Sequence, residues 1–155
     1  MNVRLITDND CRQVADMISR AVRLSPFSRY YPQITIDEVI HSLNEDGVRK
    51  RASWTHFYVI EENDIIIGCG AIGPYYNSET ESSLFSIFVD PIFQGKGYGK
   101  KIIEILEQDE YFLRANRVEI PASIVAIPFY RRMGYDFKNG ELVYSDGHFA
   151  LEKFR

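Results

Sequence analysis

The sequence is poor in the features that mark specialised proteins. It has two cysteines in 155 residues, Cys11 and Cys69, without metal-ligand spacing and each within an apolar pattern. That is the usage of reduced core thiols in a cytosolic protein rather than of zinc ligands, although a single disulfide would also be compatible. No segment approaches the roughly 20 apolar residues of a membrane span. Met1 to Asp8 carries neither a long apolar stretch nor a signal-peptide cleavage pattern, so a cytoplasmic chain with no membrane association is expected. No basic run exceeds Arg49-Lys50-Arg51 and the net charge is −4, which argues against non-specific nucleic-acid binding. A mildly acidic chain weakly suits a cationic or amine substrate. Repeats, linkers and low-complexity segments are missing too. With 45% apolar and 26% charged residues, the composition is that of one globular domain over residues 1–155.

What is present centres on Val89-Asp90-Pro91-Ile92-Phe93-Gln94-Gly95-Lys96-Gly97-Tyr98-Gly99-Lys100-Lys101. Before it, Leu84 to Val89 reads as a buried strand. After it, Ile102, Ile103 and Leu106 share one helical face. A glycine-rich loop therefore joins a strand to the positive end of a helix dipole, which is a site for phosphate. A P-loop would need Gly at position 94 and Ser or Thr at 101, where Gln94 and Lys101 stand. A dinucleotide fingerprint starting at Gly95 would need Gly at 100, which is Lys100. The pattern that fits is Gln94-x-x-Gly97-x-Gly99. Three alternating glycines among three lysines exceed what a plain tight turn needs.

In chain order, Val3 to Ile6 reads as a first strand. Thr7 caps a helix that runs to about Leu24, with Cys11, Val14, Met17, Ile18, Ala21 and Val22 at core spacing. Residues 25–32 form an aromatic loop between prolines, either a plug on the core or a substrate-lining segment. Thr35 caps a second helix from Ile36 to about Leu43, ended by Gly47. Trp54 to Glu61 and Ile65 to Gly73 form a hairpin, in which small residues 68–71 predict close backbone packing or a bulge. Ser82 to Val89 is a central strand covered on both faces. Val118 to Ser123 is a later strand, unpaired on one side near Pro121. A short helix with Pro128 in its first turn closes at Gly134. Terminal strands at 135–137, 142–144 and 148–154 are linked by Asn139-Gly140 and Asp146-Gly147 turns.

The loop and the order β-α-α-β-β-β-α-β-α-β-β resemble the GCN5-related N-acetyltransferase (GNAT) superfamily. So does a second signature, Ala126-x-x-Phe129-Tyr130-x-x-x-Gly134-Tyr135. Where family members usually carry Asn three residues before that Ala, this chain has Ser123, a shorter side chain that can still hydrogen-bond. The resemblance covers nearly the whole chain, most specifically residues 84 to 135. It implies an α/β (α+β) fold with a mixed, mostly antiparallel central sheet of about seven strands and helices on both faces. It further implies acetyl-CoA as cosubstrate, no metal, and direct acetyl transfer to an amine in a ternary complex. The acceptor would be a small molecule, a peptide N-terminus or a lysine, and the chain a monomer or homodimer.

By the same resemblance, main-chain groups at Phe88 and Val89 bind pantetheine and the thioester carbonyl. The backbone from Gln94 through Gly95, Lys96, Gly97, Tyr98 and Gly99 to Lys100 holds pyrophosphate, and Lys96, Lys100 or Lys101 could add charge. Ser123 stands at the polar contact to the pantetheine arm. Tyr130 matches the tyrosine that hydrogen-bonds the sulfur and serves as general acid; unperturbed phenol and thiol pKa values lie within about two units. The general base is the position the sequence marks least. Glu79 and Glu81 precede the central strand, His56 and Glu61 lie on the preceding hairpin, and Glu81 is the candidate. A non-catalytic acyl-CoA-sensing or partner-binding module on the same fold is the rival reading.

Overall fold

The computed structural model describes residues 1–24 and 26–155. Its centre is a sheet in the order β1-β2-β3-β4-β5-β8-β6, with β7 paired to β8. These strands are β1 (Asn2–Leu5), β2 (His56–Glu62), β3 (Ile65–Pro74), β4 (Glu81–Val89), β5 (Arg117–Ala122), β6 (Asp136–Phe137), β7 (Tyr144–Ser145) and β8 (His148–Phe154). The pairing of β4 with β5 is parallel and the rest is antiparallel. About seven strands were expected and eight are described; the terminal strand expected at 142–144 is the short β7.

Helices cover both faces. On one, α1 (Cys11–Leu24) places Val14, Met17, Ile18 and Val22 against Phe57, Val59, Ile66 and Ala71 of the sheet. The expected core positions of this helix are all buried. Its entry is fixed by Asp10, which accepts hydrogen bonds from the backbone N–H and hydroxyl of Thr7 and both guanidinium nitrogens of Arg4. On the other face, α5 (Tyr98–Leu106) lays Ile102, Ile103 and Leu106 on Ile60, Ile67, Leu84 and Ile120.

Local chemistry overrode several expectations. Within the aromatic stretch 25–32, Phe27–Tyr30 is a short helix, α2, rather than loop; Ser25 lies outside the described residues. The next helix, α3, spans Gln33–Ser42 and is entered through Pro32, so Thr35 lies inside it and caps nothing. Gly47 does not end it. A separate helix, α4 (Glu45–Ala52), begins there, and its N-cap Asn44 accepts a hydrogen bond from the Gly47 N–H at 2.9 Å. The signals for α4 were in the sequence: an Asn cap, Glu45 and Asp46 in the first turn, and Arg49, Lys50 and Arg51 in the last. A four-residue helix, α6 (Glu110–Leu113), capped by Asp109, also follows α5.

Of the irregularity expected near residues 68–71, the register toward β2 shifts at Ile67 of β3 itself, and the bulge toward β4 lies on the opposite strand. Between the pairs Ala71–Phe85 and Cys69–Phe88, β3 contributes Gly70 alone while β4 contributes Ser86 and Ile87. The bulged Ser86 has a φ of 54°. The final expectation, a strand open beside Pro121, matches the register. The β4–β5 ladder stops at Ser83–Glu119, while Pro121 pairs only across to Ala150 of β8.

Candidate active site

Because β4 and β5 stay paired over only three residues, they diverge toward their C-terminal ends. A cavity of about 700 Å³ occupies the divergence. Ile87, Phe88 and Val89 of β4 form one wall, and Ser123, Ala126 and Tyr130 the other. Its mouth is the glycine loop, with Gln94, Gly95, Gly97, Tyr98, Gly99 and Lys100 on the lining. Gly97 caps α5 with a φ of 89°, and Gly95 has a φ of 77°. A β-carbon at either would meet nothing within 4 Å, so these glycines serve the backbone conformation and leave the space above them open.

The loop is braced from below. Asp90, buried at the end of β4, is held by Arg20 of α1 at 2.8 Å and accepts from the Ile92 N–H. The Gln94 side chain donates to the Val89 carbonyl at 3.0 Å, tying the loop to β4. Tyr98 donates its hydroxyl to Glu62. Gln94 and Tyr98 thus spend their side chains on the fold, and the Gln94 N–H closes the preceding turn on the Pro91 carbonyl, so the backbone offered to the cavity begins at Gly95. Lys96 and Lys100 are exposed, and the Lys96 ammonium sits 5.5 Å from the Phe93 ring. Lys101, half-buried, is off the lining. The open first turn of α5 and the positive-φ glycines fit a bound pyrophosphate.

Tyr130 is buried, and burial pushes its phenol above the ordinary value. Among the described residues its hydroxyl has no hydrogen-bond partner. α7 (Ile127–Arg132), on which it stands, starts at Pro128 in the first turn and closes at Gly134, with a φ of 97°. A clamp crosses the cleft nearby: the Ile124 N–H donates to the Tyr31 hydroxyl at 2.8 Å. Tyr31 stacks on Phe27, which lines the cavity, so the aromatic stretch packs and lines at once.

A second cavity, of about 350 Å³, lies farther back on the same two strands. Trp54, Tyr75, Tyr76, Phe85, Glu119 and His148 are on its lining. It reaches Phe85 on β4 and Pro121 on β5; the first cavity begins at Ile87 and Ser123. Glu119 is engaged by Arg117 and by Lys138, the latter at 2.9 Å. His148 is half-buried, makes no ion pair among the described residues, and follows the last β5–β8 pair, Ala122–Phe149, beside Ser123.

The base candidates are elsewhere. Glu81 is seven residues before Phe88 on β4, about 23 Å away at strand spacing. It faces Arg117 at 3.7 Å and lines neither cavity. Glu79 is exposed, Glu61 is bonded to Arg4, and His56 is held by Asp109 at 2.8 Å. The residues of the second cavity escaped sequence reading because they come from the turn after α4, four strands and a connection. Both cysteines are buried free thiols, and burial pushes Cys69 up to about 12. Among the described residues no helix is long and apolar enough to cross a membrane.

A family model described as an acetyltransferase (GNAT) domain matches residues 53–136, more than half of the chain. The chain belongs to this family. Among curated proteins no sequence matches it. The fold is shared with the PaiA N-acetyltransferase of Thermoplasma acidophilum in complex with coenzyme A (TM-score 0.83, 13% identity, covering 99% of this chain and 98% of that one). It is shared too with a GNAT-family acetyltransferase of Staphylococcus aureus Mu50 (TM-score 0.73, 16% identity, 99% and 98%). An aminoglycoside 6′-acetyltransferase type Ii is similar as well (TM-score 0.72, 16% identity, 99% and 97%). At these identities the likeness is one of fold.

Proposed function

We propose that the chain transfers the acetyl group of acetyl-CoA directly to an amine held in the second cavity. The observation that carries this reading is the alignment of two cavities along the diverging strands, one ending at a glycine loop and the other lined by aromatic rings. The Thermoplasma protein of the same fold is bound to coenzyme A, which supports acyl-CoA use.

In this reading the N–H groups from Gly95 to Lys100 hold the pyrophosphate, with Lys96 and Lys100 adding long-range charge. Pantetheine runs along Phe88 and Val89, whose edges toward β5 are beyond the last β4–β5 pair. Ser123 offers its hydroxyl on the facing wall. The amine nitrogen bonds to the acetyl carbon as the carbon–sulfur bond breaks. Tyr130 returns a proton to the sulfur; its side chain lines the first cavity and its hydroxyl has no hydrogen-bond partner among the described residues. We assign the removal of the ammonium proton to His148, which lines the second cavity just past the Ala122–Phe149 pair, the end of β5 that leads to Ser123 of the first, in place of Glu81.

A thermal-shift titration with acetyl-CoA, CoA, ATP and NAD tests the cosubstrate. Ligand at a hundredfold excess over its dissociation constant adds about 2.7 kcal/mol to the folded state. A response to acetyl-CoA and CoA alone, followed by amine-dependent thiol release, is the expected outcome. CoA binding without turnover of any amine would favour a non-catalytic CoA-sensing module, and no binding would remove both readings.

A further inference from the structure

Arg51 is a charge without a counter-charge. It ends α4, and its guanidinium carbon lies 4.4 Å from the centre of the Phe85 ring and 5.5 Å from that of Trp54. Among the described residues its one side-chain hydrogen bond is a long one, 3.4 Å from Nη1 to the hydroxyl of the bulged Ser86. Among the described residues no Asp or Glu pairs with it, whereas Arg4, Arg20, Arg49, Arg117 and Arg131 each face a carboxylate. Burial disfavours the charged guanidinium and lowers its pKa from the ordinary value. A half-buried cation that keeps four of five donors unused is costly unless something anionic completes it.

Its position says what that group belongs to. Phe85 and Trp54 line the second cavity, and Ile87 and Phe88 line the first. Ser86, which Arg51 bonds, lies between them on β4, so Arg51, itself on the lining of neither cavity, stands over the stretch of β4 that separates the two. The phosphate-holding loop is at the far mouth of the first cavity, beyond Val89. The surrounding charge is not suited to a polycation, because the one carboxylate on the second cavity, Glu119, is already met by Arg117 and Lys138. Aromatic rings make up much of the remaining wall.

We propose that Arg51 is the anion anchor of the acceptor site, and that the acceptor is an amine carrying a carboxylate and an apolar body, the chemistry of an apolar amino acid. The planar fork receives the carboxylate, the amine points at the first cavity and the apolar part enters the second. This rests on the second cavity being the acceptor site.

The test pairs leucine and phenylalanine with the same amines lacking the carboxylate, isoamylamine and phenethylamine, and follows thiol release from acetyl-CoA. The wild type is expected to favour the amino acids in kcat/KM by at least about tenfold, the size of a charge-assisted hydrogen bond. Arg51→Met should shrink that ratio to within about twofold, and Arg51→Lys should restore part of it. Equal use of both members of each pair, an undiminished ratio in Arg51→Met, or preference for spermidine overturns the proposal. Calorimetry with N-acetylphenylalanine and N-acetylphenethylamine in the presence of CoA reads the anchor without turnover. Binding of the former by wild type but not by Arg51→Met supports it even if acetyl transfer fails. Equal binding of the two probes, or binding of neither, sinks it.

Discussion

Gly70 of β3 lies directly beneath Ile102 of α5. A β-carbon on Gly70 would come within 2.5 Å of the Ile102 Cγ2 and 3.1 Å of a Leu106 methyl. The helix whose first turn forms the cavity mouth is thereby drawn against the sheet opposite the Ser86 bulge. Because Cγ2 is fixed to a branched carbon, it cannot swing aside. Gly70→Ala should cost about 1–3 kcal/mol, seen as a fall in Tm of roughly 2–4 °C per kcal/mol for a chain of this size. An unchanged Tm would show that α5 floats.

Gly97 tests the loop independently of packing. A side chain there meets open space, so Gly97→Ala introduces only the cost of a left-handed backbone, about 1–2 kcal/mol. The loop should abandon its shape, weakening CoA by about tenfold or more in calorimetry. Undiminished CoA binding would remove the loop from the cosubstrate site.

Tyr130→Phe separates chemistry from folding. The hydroxyl supports no hydrogen bond among the described residues, so stability should change by no more than about 0.5 kcal/mol. Loss of a general acid should lower kcat by about 100-fold. Burial raises the phenol's pKa, so it stays protonated through the range of assay, and the deficit should be the same from about pH 6 to pH 9. A deficit that vanished toward either end would contradict the role.

His148→Asn probes the base. In its proposed role as proton acceptor, His148 should matter chiefly to kcat, with a loss of about 100-fold and a smaller change in KM for acetyl-CoA. A parallel rise in KM alone would make it a binding residue.

Acid stability should report the first loop. Chiefly through its Arg4 bonds, the Asp10 carboxyl is lowered from 3.8 to about 2. Its folded-state value lies below the unfolded one, so the contribution is complete above about pH 4 and is lost as pH falls toward 2. Allowing for solvent screening, Asp10→Asn should cost about 1–2 kcal/mol at neutral pH. In urea titrations that gap should close in acid. A gap independent of pH would mean that packing, not charge, holds the turn.

Two kinds of information separate along this chain. Hydrophobic period and glycine position are local, so the sequence by itself determined the core face of α1, the strand–loop–helix around Gly97, the Pro121 break in pairing and the short helix closed by Gly134. Each depends on a backbone preference or a repeat carried by neighbouring residues. Helix α4 was legible too, through Asn44 and its charged ends, but Gly47 read as a stop when its N–H in fact completes the cap. The second cavity was decided by tertiary structure alone. Trp54, Phe85, Glu119 and His148 are far apart in sequence, and strand register brings them to one cavity. Glu81 has the right chemistry at the wrong end of its strand, because distance along β4 is fixed by pleat spacing. In sequence Arg51 is only the end of the basic run Arg49-Lys50-Arg51; the fold shows that it alone in that run lies half-buried over aromatic rings without a carboxylate among the described residues.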